Sequence, residues 1–164
     1  MPYTPIIATL GYVLSPDRAS VLMVHRNARP DDAHLGKYNG LGGKLDPGED
    51  VVAGMRRELR EEAGVEALAL TLRGTVSWPG FGKAGEDWLG FLFLITSFSG
   101  EPPPANPEGQ LSWVPLARVL AGDLPLWPGD RLFLPLVFGA DPRQFHGVMP
   151  YKDGQPTGWS YSLI

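Results

Sequence analysis

Three glutamates within one predicted helix constrain this chain more than any other feature of its sequence. Glu58, Glu61 and Glu62 are spaced i, i+3 and i+4, which directs their carboxylates to one face of a helix. Like charges at this spacing destabilise a helix by about 0.2–0.5 kcal/mol per pair unless a cation neutralises them. Carboxylate oxygens, with no cysteine or histidine cluster nearby, suit a hard cation such as Mg²⁺ or Mn²⁺. The competing interpretation is a solvated acidic helix face without a metal.

The helix itself has clear boundaries in the sequence. It is predicted over about residues 50–63, after a turn at Asp46–Gly48 and before Gly64, which we expect to be its C-cap. Apolar residues recur at helical spacing and are expected to face the core, namely Val52, Met55, Leu59 and Ala63.

The remainder of the chain is predicted to alternate between strands and loops. Strands are expected at Ile6–Leu14, Ala19–His25, Leu68–Trp78, Trp88–Ser97 and Leu111–Val114. We expect a Pro-rich loop over Gly100–Gln110, a second helix over Gly129–Phe138, and a final hairpin that pairs Phe145–Tyr151 with Ser160–Ile164. A mixed sheet with two helices indicates a layered α/β fold. No internal repeat or linker divides the chain, so residues 1–164 are expected to form a single domain.

Composition narrows the classes of partner. The net charge of −4 argues against polymeric nucleic acid, whose binding proteins usually carry a basic stripe. The absence of cysteine excludes disulfides and thiolate chemistry. The first residues do not resemble a signal peptide, and the sequence has no apolar run long enough for a membrane span. We therefore expect a cytoplasmic protein that does not associate with membranes.

A longer pattern surrounds the three glutamates. From Gly43 the chain reads GKLDPGEDVVAGMRRELREEAGV, which resembles the signature of the Nudix hydrolases, G-x5-E-x7-R-E-U-x-E-E-x-G-U with U aliphatic, at every fixed position. The resemblance implies a loop–helix–loop Nudix box over residues 43–65, set in an α/β/α sandwich with a mixed sheet. It also implies a small-molecule nucleotide substrate that is cut at a phosphoanhydride bond with Mg²⁺ as cofactor, Mn²⁺ being the alternative.

The resemblance assigns roles within this box. Glu58, Glu61 and Glu62 match the metal ligands of the family, and a backbone carbonyl near Gly42 matches a further ligand. Glu61 is favoured as the base or its close assistant, although that role is not separable from metal ligation by sequence. The remaining matched positions are structural: Gly43 and Gly64, and an ion pair between Glu49 and Arg57.

A further carboxylate is expected outside the box. Nudix enzymes that cleave nucleotides often supply one from a loop before a Trp-containing strand. Glu108 lies five residues before Trp113 and is our choice for this catalytic and metal-binding position, with Glu101 as the competing candidate. Lys44 follows the glycines and is predicted to meet a phosphate, the alternative being a solvated loop lysine.

Two further segments resemble the MutT-type 8-oxo-dGTP diphosphatases, and the bacterial members more than the human one. They are GKYNGLGGK, which contains Asn39, and WPGD, which contains Trp127 and Asp130. In that branch the Asn and the acid contact the base and the Trp stacks on it; Trp78 is expected to line the same pocket. Each residue also has a structural interpretation: Asn39 as a turn brace, Asp130 as a helix first-turn acid, and both tryptophans as core. The human enzyme has two consecutive acids after Trp-Pro, whereas this chain has Gly129 before its acid.

The sequence leaves other functions open. ADP-ribose, dinucleoside polyphosphates and unmodified nucleoside triphosphates are alternative substrates for the same box. A non-catalytic nucleotide-binding module is disfavoured because all the box carboxylates are present.

His25, His34 and His146 are too scattered for a zinc site and are interpreted as structural or surface residues. The oligomeric state is not readable from the sequence.

Overall fold

A ten-stranded mixed sheet forms the centre of the fold in the computed structural model, which describes residues 1–164. Its strands are β1 (Ile6–Leu14), β2 (Ser20–His25), β3 (Tyr38–Asn39), β4 (Leu41–Lys44), β5 (Glu66–Trp78), β6 (Trp88–Ser99), β7 (Ala105–Asn106), β8 (Gly109–Pro115), β9 (Phe145–Val148) and β12 (Ser160–Leu163). Strands β10 (Tyr151–Lys152) and β11 (Gln155–Pro156) form a separate hairpin. The main order is β12-β9-β5-β6-β1-β2-β8-β7, with β3 paired to β2 and β4 to β1. The pairs β1–β6 and β5–β9 are parallel and the others are antiparallel.

Helices cover both faces of this sheet. They are α1 (Val51–Ala63), α2 (Leu116–Ala121) and α3 (Asp130–Phe138). Alternation along β1 sends Val13 to the core under α1 and its neighbours Tyr12 and Leu14 to the opposite core under α3. Met55 and Leu59 of α1 are fully buried in the first core. The predicted α/β/α sandwich with a mixed sheet is therefore confirmed.

Helix α1 is capped at both ends by the residues that flank it. The Asp50 side chain accepts hydrogen bonds from the backbone N–H groups of Val52 and Ala53, both at 2.9 Å, and Gly64 closes the helix in the left-handed conformation with φ of 62°. The expectation that Val52 faces the core is wrong, because the residue is 37% exposed. Val51 packs against the core in the first turn instead.

Short elements account for the other differences from the predicted layout. The predicted loop over residues 100–110 contains the two-residue strand β7, and α2 follows β8 directly. A helix of six residues is too short to show a reliable apolar period. The final strands β9 and β12 do pair antiparallel, but the β10–β11 hairpin lies between them in the chain. No helix of the structure combines the length and apolar character that crossing a membrane requires.

A buried arginine holds the far end of α3. Arg73 of β5 is only 7% exposed and donates to the carbonyl oxygens of Leu136 at 3.1 Å, Val137 at 3.1 Å and Asp141 at 2.6 Å. The bonds to Leu136 and Val137 satisfy carbonyls that the helix terminus leaves without an internal partner, and the positive charge complements the helix dipole. Arg73 thereby fixes the helix that carries Asp130 at its opposite end.

Candidate active site

Arg57 fastens the loop before α1 to the helix. Its guanidinium donates to both carboxylate oxygens of Glu49, at 2.6 and 3.0 Å, and to the carbonyl oxygen of Lys44 at 3.1 Å. The backbone N–H of Asp46 donates to the same Glu49 carboxylate at 2.8 Å. The guanidinium lowers the pKa of Glu49 to about 2. The ion pair expected between Glu49 and Arg57 is thus present and bidentate, a geometry that fixes orientation as well as distance.

Two glycines bring the backbone of β4 against the glutamates of α1. A Cβ at Gly42 would overlap the carbonyl of Thr9, and a Cβ at Gly43 would lie 2.6 Å from the Glu58 carboxylate. The N–H of Gly42 donates to Glu62 at 3.0 Å. Glycine at position 42 permits the close approach of β4 to β1, and glycine at position 43 leaves room for the Glu58 carboxylate, so the pair forms a narrow cradle beside two of the three predicted ligands.

Glu108 reaches the same region from the loop between β7 and β8. Asn106 accepts from the N–H groups of Glu108 at 2.9 Å and Gly109 at 3.2 Å, and its amide donates to the carbonyl oxygen of Glu62 at 3.1 Å. The Glu108 carboxylate pairs with Arg26 at 3.2 Å. Asn106 therefore ties this loop to the end of α1 and sets the position of the fourth carboxylate.

The carboxylates repel one another where they meet. Burial, together with the charges of Glu108 and Glu58, raises the pKa of Glu62 to about 8. Burial also raises the pKa of Glu58, against the opposing effect of Arg57. Glu61 is the outermost member, with a side chain that is 60% exposed and 3.2 Å from the Arg57 guanidinium. This part of the protein is rich in acceptor oxygens, and Arg57 and Arg26 neutralise only part of their charge.

The glutamates are not drawn into a closed ligand cluster, since no group of three or more acidic or histidine side chains converges closely enough to hold a metal ion. Arg57 binds two of them, because one of its nitrogens donates to Glu58 at 2.9 Å and to Glu61 at 3.2 Å. The donors nevertheless fit a hard divalent cation: they are all oxygens, they lie beside a glycine cradle, and a cation would relieve the repulsion that raises the pKa of Glu62. Glu58, Glu61, Glu62, Glu108 and the Gly42 carbonyl are the groups available for it.

A cavity of about 340 Å³ leads away from this cradle. Gly42, Gly43 and Glu108 line one part of it. All five predicted substrate contacts also line it: Asn39, Lys44, Trp78, Trp127 and Asp130. Glu101, the competitor of Glu108, lines a separate surface groove with Phe98 and Trp113. The predicted substrate contacts therefore share one cavity with Gly42, Gly43 and Glu108, whereas Glu58, Glu61 and Glu62 are not among the residues that line it.

Aromatic residues that the sequence analysis did not select enclose the distal part of the cavity. Phe81 packs edge-to-face against Trp127 with ring centroids 4.8 Å apart, and against Tyr151 at 5.0 Å. Arg26 and His34 line the cavity as well. The sequence gives only weak signals for two of these residues. Phe81 is an aromatic residue in the Gly-rich loop after β5, and Arg26 is a basic residue at the end of β2.

Asp130 begins α3 at the back of this cavity. Burial raises the pKa of Asp130 to about 7, against the opposing charges of Arg131 and Lys37. The preceding Gly129 has no room for a side chain, because a Cβ would overlap the Met149 sulfur and the Tyr151 hydroxyl. The Gly129 N–H donates to that hydroxyl at 3.1 Å. The chain thus has one acid here and a tyrosine hydroxyl beside it.

Known proteins resemble this chain over most of its length. The family model described as NUDIX domain matches residues 4–137. The oxidized purine nucleoside triphosphate hydrolase of Mus musculus is 32% identical over 160 residues, which cover 98% of this chain and 95% of the relative. The protein of the same name from Danio rerio is 29% identical over 150 residues, covering 92% and 89%. The crystal structure of a MutT protein from Bacillus halodurans has a TM-score of 0.80 at 26% identity and covers 96% of this chain and 97% of that one.

Proposed function

The chain belongs to the Nudix family as a MutT-type Nudix hydrolase, and on that premise we propose that it hydrolyses oxidised purine nucleoside triphosphates, with 8-oxo-dGTP as the main substrate. The products are the monophosphate and pyrophosphate, and the reaction depends on Mg²⁺ or Mn²⁺. The observation that carries the proposal is the cavity of about 340 Å³ that leads from the glycine cradle and Glu108 to a group of aromatic side chains and the Asn39 amide. A nucleoside triphosphate needs an oxygen-rich site that binds a cation beside its phosphates and an adjoining aromatic site for its base.

At the cradle, the chain supplies acidic ligands and a fixed backbone. Glu58, Glu61, Glu62 and Glu108, with the Gly42 carbonyl, would hold the divalent cation. Such a cation, when bound, supplies Lewis acidity and neutralises charge on the attacking and leaving oxygens of phosphoanhydride hydrolysis. Glu61 is the carboxylate most open to solvent, at 60% exposure, and we assign it to accept the proton of the attacking water.

Cationic groups near the cradle suit the phosphates of the substrate. Lys44 lies at the cavity wall with its ammonium 5.6 Å from the centre of the Trp88 ring, and its exposed side chain is free to turn toward a phosphate. Arg26 lies between two acids, Asp32 at 2.7 Å and Glu108 at 3.2 Å. We assign Arg26 to hold the Glu108 carboxylate in position, while Lys44 meets the substrate.

The distal end of the cavity supports a purine as the base. Trp127 offers a stacking surface, which in other nucleic-acid complexes is worth about 1–3 kcal/mol per base. Asn39 and Asp130 are the polar groups available to read the base edge, and Trp78 adds a second aromatic wall. Oxidation of guanine at position 8 changes N7 from an acceptor to an N–H donor, a difference that a placed acceptor detects. The names of the mouse and zebrafish relatives agree with this substrate class.

A comparison of substrates tests the proposal. We expect kcat/KM for 8-oxo-dGTP to exceed that for dGTP, ADP-ribose, dinucleoside polyphosphates and unmodified ATP, with pyrophosphate as a product. In ¹⁸O-labelled water the label identifies the phosphorus that is attacked. Trp127→Ala should raise KM more than it lowers kcat, whereas Trp113→Ala, a matched change in the separate groove, should alter neither. A kcat/KM for dGTP equal to or above that for 8-oxo-dGTP would contradict the proposed substrate and leave the family chemistry intact.

A further inference from the structure

A histidine joins the two residues assigned to the base. The indole N–H of Trp127 donates to Nδ1 of His34 at 2.6 Å, and the side-chain amide nitrogen of Asn39 lies 3.1 Å from the same imidazole nitrogen. The His34 and Trp127 rings meet nearly at right angles with centroids 5.3 Å apart. Because these residues come from the loop after β2, from β3 and from the segment before α3, only the tertiary fold creates this group of three.

The indole determines the protonation of the imidazole. A tryptophan side chain donates hydrogen bonds and does not accept them, so Nδ1 of His34 must carry a lone pair and the ring proton must lie on Nε2. Burial and the positive charge of Arg26 lower the pKa of His34 to about 4, against the opposing effect of Asp32. The imidazole is therefore neutral at physiological pH.

The imidazole in turn determines the orientation of the Asn39 amide. An unprotonated Nδ1 accepts only from the amide NH₂ group, because the amide oxygen has no proton to offer and would be repelled by the lone pair. The Asn39 oxygen is consequently turned away from His34. It remains an acceptor for another partner, and Asn39 lines the cavity.

The loop that carries His34 is itself held in place. The Asp32 carboxylate accepts from the His34 backbone N–H at 3.0 Å and from two nitrogens of Arg26 at 2.7 and 3.1 Å. The backbone N–H of Lys37 donates to the His34 carbonyl at 2.9 Å. These bonds fix the His34 backbone, from which the ring reaches Trp127 and Asn39.

We propose that His34 is a positioning residue for base selection: its neutral imidazole accepts from both Trp127 and Asn39, and so commits Asn39 to present its carbonyl oxygen to the base. A purine with an N–H donor at that edge, as in 8-oxoguanine, is then favoured over one with an acceptor there. This inference rests on the proposed function for the identity of the base, whereas the hydrogen-bond arrangement does not depend on it.

The first test measures the arrangement without substrate. In the ¹⁵N-labelled wild-type protein, the imidazole of His34 is expected to show an unprotonated Nδ1 and a protonated Nε2 at pH 7. The Trp127 indole N–H resonance should shift in His34→Phe and should stay close to its wild-type position in His34→Gln, whose amide oxygen can accept both bonds. A protonated Nδ1 in the wild type would overturn the proposal whatever the substrate proves to be.

The second test measures selectivity. We expect His34→Phe to reduce the ratio of kcat/KM for 8-oxo-dGTP over dGTP by about 10-fold, the size expected when one hydrogen-bonded orientation is lost, with the change mostly in KM. His34→Gln should restore most of the ratio. His25→Phe is the matched control, because His25 stacks on Tyr38 with ring centroids 4.3 Å apart and does not line the cavity.

The outcomes separate the two proposals. If the wild-type enzyme prefers another purine triphosphate, the proposal that 8-oxo-dGTP is the main substrate is wrong. The role of His34 is then tested on the ratio of kcat/KM between the best and the poorest purine substrate, in place of the ratio for 8-oxo-dGTP over dGTP. A His34→Phe variant that folds and keeps the wild-type ratio would overturn the role of His34. Equal loss in His34→Phe and His34→Gln would also overturn it, because the imidazole would then contribute something other than an acceptor.

Discussion

Replacing Asp130 with asparagine should stabilise the protein in a pH-dependent manner. Burial raises the pKa of this carboxyl from 3.8 to about 7. The charged groups that act on it are Arg131 and Lys37. Burial, and after it the charge of Asp130, raises the pKa values of Tyr12 and Tyr151. An acid whose pKa is raised by folding lowers stability once the unfolded chain ionises, so the loss begins near pH 4 and is complete above about pH 7. Asparagine cannot ionise and carries no such loss.

The structure sets the size of the effect. A difference of about three pKa units corresponds to about 4 kcal/mol. Because Asp130 is partly exposed to the cavity, water there screens the charge, and we reduce the figure to about 2–3 kcal/mol. Between pH 5 and pH 8, the stability difference between Asp130→Asn and the wild type should therefore grow by about 1–2 kcal/mol. For a chain of this size that is roughly 3–6 °C in Tm.

Thermal unfolding at the two pH values, without nucleotide, provides the measurement. Comparing pH values removes any constant cost of fitting an amide into the site, because that cost does not depend on pH. Asp153→Asn, at an exposed turn between β10 and β11, is the matched control and should show no growth of the difference. A difference in Tm between Asp130→Asn and the wild type that is equal at pH 5 and pH 8 would show that the carboxyl is not held at a raised pKa.

Four other perturbations have defined expected results. Excess EDTA should abolish phosphoanhydride hydrolysis, and added Mg²⁺ should restore it; full turnover in EDTA would refute the metal requirement. Glu62→Gln should lower kcat at saturating Mg²⁺ by at least about 100-fold without lowering Tm, and near-normal kcat would refute its role as a ligand. Arg73→Met should destabilise the fold by about 2–4 kcal/mol in denaturant titrations, because three carbonyls lose their donor; an unchanged midpoint would contradict this account of α3. Gly129→Asp should lower Tm, since its Cβ would overlap Met149 and Tyr151, and a stable variant with sharper selectivity for 8-oxo-dGTP would contradict the packing argument.

Local signals in the sequence were sufficient for the loop and helix of the Nudix box. Asp50, Gly64 and the apolar period act within a few residues of one another, so both the helix bounds and the shared face of Glu58, Glu61 and Glu62 follow from spacing alone. The same locality explains the failure at Val52. Its spacing matches the apolar face, but burial depends on what packs against the first turn, and that contact is made by Val51.

The tertiary structure shows that the two candidate loop carboxylates lie in different places. Glu101 and Glu108 lie in the same Pro-rich connection and have similar sequence surroundings. Asn106 bonds to the end of α1 and directs Glu108 into the cavity, whereas Glu101 faces the groove that contains Trp113. Asn106 and Glu62 are 44 positions apart, and a contact at that separation cannot be predicted from the periodicity of the sequence.

The sequence by itself determined the layered α/β class, the bounds of the main helix and the family, because these rest on short-range periodicity and on a motif of fixed spacing. Only the tertiary structure showed that His34, Asn39 and Trp127 form one hydrogen-bonded group and that Phe81 and Tyr151 complete the wall around them. The histidine that the sequence presented as structural or surface lines the cavity. The physical reason is that a hydrogen bond depends on the distance and direction between atoms, and for residues 93 positions apart these are set by the packing of the whole sheet.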